Sequence, residues 1–176
     1  MDFSRKNIYG KVGAMRQLAS VRRAVLDDGK GRGMRIVDVN NGGKWSFTVY
    51  PDRGMDIGEA AFKGMPLVWL TPACGTAESY EPENFNWLRS WGGGLLTGCG
   101  LLNVGGPCEA GEAHGLHGRL SHLKAEEVNT VSDWENDVYK LRVSGKVYHS
   151  KVFGEVLRLT RTISTQLGSN SLVIDD

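Results

Sequence analysis

Three cysteines in 176 residues cannot all pair with one another, and Cys74, Cys99 and Cys108 follow neither CxxC nor zinc-finger spacing. Reduced, buried thiols in a cytoplasmic protein are the expectation. Proline is scarce as well, at five residues, whereas glycine reaches 24, well above its usual share of about 7%. That imbalance suits a turn-rich β protein better than a disordered chain. An excess of charge is also missing. The 21 Lys and Arg against 20 Asp and Glu leave a formal +1, so electrostatics make no case for a nucleic-acid or anionic-membrane partner. No uninterrupted apolar run approaches the length of a membrane span. MDFSRKNIYGKVG has charges but no hydrophobic segment behind them, unlike a secretory signal. The length fits one domain with a real core, not two.

What is present is mostly the grammar of strands. Residues 7–18 read either as a short helix around Val12, Met15 and Leu18 or as an irregular lead-in. From Val21 to Tyr50 a β-meander is expected. DDGKGRG and NNGG are its turns, and Trp45, Phe47 and Val49 alternate with Ser46, Thr48 and Tyr50. Pro51 ends that strand. Ile57–Phe62 and Leu67–Leu70 read as short strands around Lys63-Gly64, ACGTAESYEPENF as a loop, and 83–89 as a possible turn of helix. Strand spacing returns in 123–131 and 134–147. EVLRLTRTIST comes after a turn near 151–154, and SLVIDD closes the chain. In EVLRLTRTIST, Leu157, Leu159, Arg161 and Ile163 share one largely apolar face, the pattern of a sheet wet on one side. The fold class is therefore all-β, a sandwich or part of one.

The stretch from Asn86 to Leu123 stands apart. It holds two of the cysteines, Trp87 and Trp91, and His114, His117 and His122 in a run dense in glycine. Such a run forbids a long helix and lets backbone approach another strand or a ligand closely. The spacing of the histidines is not that of HExxH, and no carboxylate sits at a diagnostic offset for a metal. The glycine runs lack the context of a dinucleotide or phosphate loop, and no G-x-S-x-G elbow exists. A histidine between tryptophan walls suits acid-base work near neutral pH and the mixed apolar and hydroxyl surface of a sugar. In PDRGMD, Arg53 offers planar donors to a polar ligand, and an internal salt-bridge knot of Asp52, Arg53 and Asp56 is an equal alternative.

YPDRGMDIGEAAFKGMPLVWLTP, NWLRSWGGGLLTGCGLLNVGGP and LHGRLSHLKAEEV occur in this order and cover nearly the whole chain. In them the chain resembles the aldose 1-epimerase-like proteins of the galactose mutarotase superfamily, catalogued as a domain of unknown function. The resemblance implies a large β-sandwich, the galactose mutarotase-like supersandwich, with residues 1–176 as the N-terminal part of one such domain. It also implies an isomerase that opens a cyclic sugar at C1 and lets it close in either anomeric form. No metal or other cofactor is implied. Similar enzymes use a glutamate as base, with histidines and an arginine around the ring. On that pattern His117 matches the first active-site histidine and Arg53 the ligand-facing arginine. Trp91, Arg89 and Asp56 line or brace the pocket, while His122 and His149 are expected to be core residues.

The chain departs from the pattern at its end. In similar proteins a second histidine and the catalytic glutamate lie beyond the point corresponding to Asp176, so no residue of this chain is named as the base. A non-catalytic carbohydrate-binding sandwich, or a structural half that needs a complementary chain, is the competing reading. The expected partners are a small-molecule sugar and either a second copy or a complementary chain over the open sandwich.

Overall fold

The computed structural model describes residues 2–77, 81 and 83–176. The chain opens with α1 (Arg5–Tyr9) and a single 3-10 turn, Met15–Gln17. Gly10 and Gly13 fall between the two, so the short helix and the irregular lead-in are both present in part. Two antiparallel sheets come after them. The first takes β1 (Ser20–Val25), β2 (Arg35–Asn40), β3 (Trp45–Tyr50), β4 (Asp56–Phe62) and β5 (Met65–Pro66) in chain order. A two-residue hairpin, β6 (Cys108–Glu109) with β7 (Ala113–His114), sits in the glycine-rich region. The second sheet contains β8 (Glu126–Glu135), β9 (Val138–Ser150), β10 (Val156–Gln166) and β11 (Val173–Asp175), in the order β11-β10-β9-β8.

Several boundaries differ from the sequence expectation, each for a local reason. β8 runs straight through Ser132-Asp133, and the hairpin turns at Asn136, whose φ of +56° suits an asparagine. Leu67–Leu70 forms no continuous strand. Pro66 ends the pairing with β4, and Leu70 makes only an isolated bridge to Gly93. The helical turn expected at 83–89 is a 3-10 turn over Asn86–Arg89. The loop reading of ACGTAESYEPENF falls partly on residues 78–80 and 82, outside the described residues. Cys74 and Cys99 are half-buried, but Cys108 is exposed, because the β6–β7 hairpin stands out from the sheets.

The inner faces of the sheets share one core. Val37, Val39, Phe47 and Val49 of the first sheet belong to the same buried cluster as Tyr139, Leu141, Val143, Val147 and Ile163 of the second. In β9 the alternation is strict, with every second residue from Tyr139 to His149 buried. No helix among the described residues is long and apolar enough to cross a membrane.

One polar side chain ties the two sheets at their end. Asn41, fully buried, starts the β2–β3 turn. Its Nδ2 donates to Thr165 Oγ1 at 3.0 Å, to the Gln166 carbonyl at 3.2 Å and to the Ser169 carbonyl at 2.9 Å. Its Oδ1 accepts from Trp45 N–H at 2.7 Å. The Asn-Gly turn thus does more than reverse the chain, since it also satisfies the buried turn after β10. Asn41→Leu leaves a buried donor and several acceptors unpaired, which is expected to destabilise the fold by about 2–4 kcal/mol. Urea unfolding should show a lower midpoint at unchanged slope.

Candidate functional site

The site region is built where three segments of backbone meet. The first is the turn after β3. Pro51–Arg53 form a 3-10 turn, and Gly54 and Met55 then take left-handed conformations, φ +63° and +62°. This reversal sends three charged side chains three ways. Asp52 pairs with Arg35, accepting from its Nε at 2.8 Å and from its backbone N–H at 2.8 Å. Arg53 donates from Nη2 to the Ser90 carbonyl at 3.0 Å. Asp56 points inward at the start of β4 and is buried. The knot suggested by Asp-Arg-x-x-Asp therefore resolves into separate contacts.

The second segment is the glycine-rich run. Ile57 donates to the Leu96 carbonyl, and Leu96 N–H donates back to Ile57, both at 3.1 Å. Gly98 N–H donates to Asp56 Oδ1 at 2.6 Å. A Cβ at Gly98 would lie 3.0 Å from that carboxylate and 2.8 Å from Leu120, so only glycine brings its amide this close.

The third segment carries the histidines. Gly100 and Gly118 form a parallel bridge, with Gly100 N–H donating to the His117 carbonyl at 2.8 Å. His117 and Gly118 both have positive φ, +56° and +73°. A Cβ on Gly118 would meet the carbonyls of Asn103 and Gly100 at 2.7 Å, so this glycine is required by both conformation and space. The kink presents the His117 ring edge-on to Trp87, with centroids 4.8 Å apart. Trp87 stacks on Trp91 at 5.6 Å, and Trp91 meets Trp69 at 5.3 Å. Gly105 N–H donates to His117 Nδ1 at 3.2 Å, so in the neutral ring the proton sits on Nε2. Next to this belt, Ser90 Oγ lies 2.9 Å from His122 Nε2, and Trp87 Nε1 donates to Ser121 at 3.0 Å.

Arg53, Asp56 and Trp91 thus line one slot, together with Tyr50, Cys74 and Ser90. It has room of about 20 Å³, a space for a water-sized group and not for a sugar ring. His117 reaches this slot only through Trp87 and Trp91. Arg89 lies outside it, exposed, donating to Asn86 Oδ1 at 3.3 Å. A larger cavity of about 670 Å³ opens on the other side of the histidine loop. Gly115 and Gly118, on either side of His117 in the chain, belong to its wall, as do His114, Arg119 and His149. Its size lies within the range of small-molecule sites. Among the described residues, no group of three His, Cys, Asp or Glu could hold a metal ion.

Sequence reasoning missed Arg161 as part of this region. It is buried on β10, with Nη1 3.9 Å from Asp56 Oδ1 and 3.4 Å from the Gly54 carbonyl it donates to. Nε and Nη2 hold Asp176 at 2.6 and 2.5 Å. The signal was available: an arginine on the apolar face of an alternating strand must find buried partners. Ser90 and Ser121 carried no comparable mark.

Burial dominates the electrostatics. It pushes the Asp56 carboxyl up to about 7, against the opposing pull of Gly98 N–H, Arg53 and Arg161. Burial, then the Arg53 guanidinium, pushes His122 down to about 4. Burial raises the Cys74 and Cys99 thiols, which keeps them protonated and poorly nucleophilic. The two strong shifts act on stability with opposite sign. Folded Asp56 keeps a proton that the unfolded chain loses above 3.8, so its stabilisation fades as pH rises toward 7. Unfolded His122 gains a proton below 6.5 that the folded ring refuses, so its stabilisation fades as pH falls toward 4. Stability should therefore vary little between about pH 4.5 and 6 as far as these groups are concerned. Asp56→Asn should leave stability rising with pH across that window, and His122→Gln should leave it falling. Urea midpoints at several pH values check both slopes.

Comparison with known proteins agrees with the architecture. The model of a domain of unknown function, DUF4432, matches residues 31–176. No curated protein matches the chain. A crystal structure from Klebsiella pneumoniae subsp. pneumoniae MGH 78578, provisionally named an aldose 1-epimerase, is similar with a TM-score of 0.76 and 24% identity. The match covers 89% of this chain and 42% of that one, so this chain spans less than half the length of that structure. The antiparallel sheets, the single core and this likeness make the fold an all-β sandwich of the galactose mutarotase-like kind. The chain belongs to the DUF4432 family.

Proposed function

We propose that this chain forms the sugar-binding, acid-side part of an aldose 1-epimerase-like protein that interconverts the anomers of a free sugar. The observation that carries the reading is His117. Its backbone is kinked by the left-handed His117-Gly118 pair, its ring is held against Trp87, and its Nδ1 is occupied by Gly105 N–H. An imidazole fixed in this way carries its proton on Nε2 and can donate a hydrogen bond to the ring oxygen, stabilising the charge that develops there as the C1–O bond opens and re-forms. The sugar is assigned to the cavity bounded by Gly115 and Gly118, next to His117 in the chain, where Leu102, Pro107 and Ala113 offer apolar surface and Asn84, Asn103 and His114 offer polar edges. Arg53 and Asp56 act from beneath. Through Ser90 and Gly98 they brace the two segments that carry Trp91 and the histidine loop. Arg89, on the exposed side of the same 3-10 turn, is free to meet a ligand from the rim. The general base at the C1 hydroxyl is assigned to no residue of this chain.

The variant that tests this is His117→Asn, because asparagine accepts positive φ and so removes the imidazole without disturbing the kink. In a protein that catalyses anomer exchange, the rate should drop by about 100-fold or more with a smaller change in sugar affinity. Polarimetry on freshly dissolved α-glucose and α-galactose reads the rate, and ligand-observed NMR reads the binding. Exchange at the wild-type rate in a folded variant would remove His117 from the chemistry.

A further inference from the structure

The turn between β2 and β3 contains the one Asn-Gly pair of the chain, Asn41-Gly42. Such a pair is chemically fragile wherever the backbone is free. Glycine has no side chain to obstruct its own amide, so the Gly42 nitrogen can attack the Asn41 side-chain carbonyl carbon. The new C–N bond closes a succinimide, the bond to Nδ2 breaks, and ammonia leaves. Water then opens the ring at either carbonyl and leaves aspartate or isoaspartate. No other reactant is needed.

The fold keeps both reacting groups occupied. Gly42 N–H donates to Asn40 Oδ1 at 2.9 Å. The Asn41 amide is 0% exposed and committed at both ends, Nδ2 to Thr165, Gln166 and Ser169 and Oδ1 to Trp45 N–H. Its backbone carbonyl is held too, accepting from Gly168 N–H at 2.6 Å. The amide has to leave this cage before the Gly42 nitrogen can reach its carbon. The partners at Thr165 and Gln166 belong to β10, so the amide comes free only when the two sheets part at this end.

The fragile pair is also fixed in place. Gly42 has a φ of +90°, and a Cβ there would lie 2.6 Å from Leu167 Cδ1. Position 41 must donate and accept at once, which an amide does and a carboxylate cannot. After conversion to aspartate, the Gln166 and Ser169 carbonyls would face a buried negative charge. Isoaspartate would in addition lengthen the main chain inside the turn.

We infer that Asn41 is a deamidation site kept closed by folding, and that its conversion is a one-way step: a chain modified while open cannot rebuild the tie between the sheets. The inference is independent of any sugar. Its test incubates the full chain at mildly alkaline pH, in buffer and in increasing urea. Mass spectrometry follows the tryptic peptide 36–44, and fragmentation separates Asn41 from Asn40. Deamidation in buffer should be at least about 100-fold slower than in denaturing urea, because it tracks the population of open chains. Below the transition, the rate should climb with urea as steeply as the unfolded population does. After dilution from urea, chains converted at position 41 should be missing from the folded fraction isolated by size-exclusion chromatography. Asn41→Asp should fail to fold or unfold at a much lower urea midpoint. Equal rates in buffer and urea, a rate that ignores urea up to the transition, or converted chains that refold with an unchanged midpoint would each overturn the inference. The wild-type rates decide the matter even where Asn41→Asp yields no folded protein.

Discussion

A carboxylate buried at the first residue of β4 has to be satisfied, and the architecture around the site depends on how that is done. Asp56 takes the Gly98 amide from the glycine-rich run and stands opposite Arg161 of the second sheet, with Arg53 near. Each partner arrives on a different segment, so neutralising one group aligns β4, β10 and the segment that leads to the histidine loop. Such a cluster adds little net stability compared with apolar packing, but breaking one member strands the others. Its value is positional. The glycines of the run let backbone amides come within reach of Asp56, and leucines on either side, Leu96 and Leu120, close the apolar shell.

The same economy separates support from contact. Arg53 and Asp56, the charged residues most conspicuous in the sequence, are largely spent on the protein's own backbone. The histidines are placed differently. His117 has Nδ1 committed to Gly105 N–H, and His149 sits in the wall of the larger cavity with its ring nitrogens buried beside Glu155. The narrow slot and the larger cavity therefore do different things, one locking segments together and the other offering space.

Strand periodicity made the meander, β9 and β10 legible, because a half-buried strand writes its two faces directly into residue order. The β8–β9 turn was not legible in the same way, since Asn136-Asp137 competes with a plausible break at Ser132-Asp133 and pairing decided between them. The three motifs marked where the site lies but not which side chains end up inside it. That depends on left-handed residues at Gly54, Met55, His117 and Gly118, each of which redirects the backbone on its C-terminal side. Arg161 could have been found from its apolar-face position. His149 is buried, as expected of a core histidine, and the cavity it also borders has no mark in the residue order.

The strict alternation of β9 has a consequence for how this protein can change. The register that buries Tyr139, Leu141, Val143 and Val147 also sets His149 on the cavity wall. One residue inserted between them would turn Tyr148 or its equivalent inward and expose the imidazole on the outer face. Evolution can therefore lengthen the 151–155 turn freely, but an insertion inside β9 changes the core and the cavity wall at one stroke. Packing and cavity lining are inherited together, as a single trait.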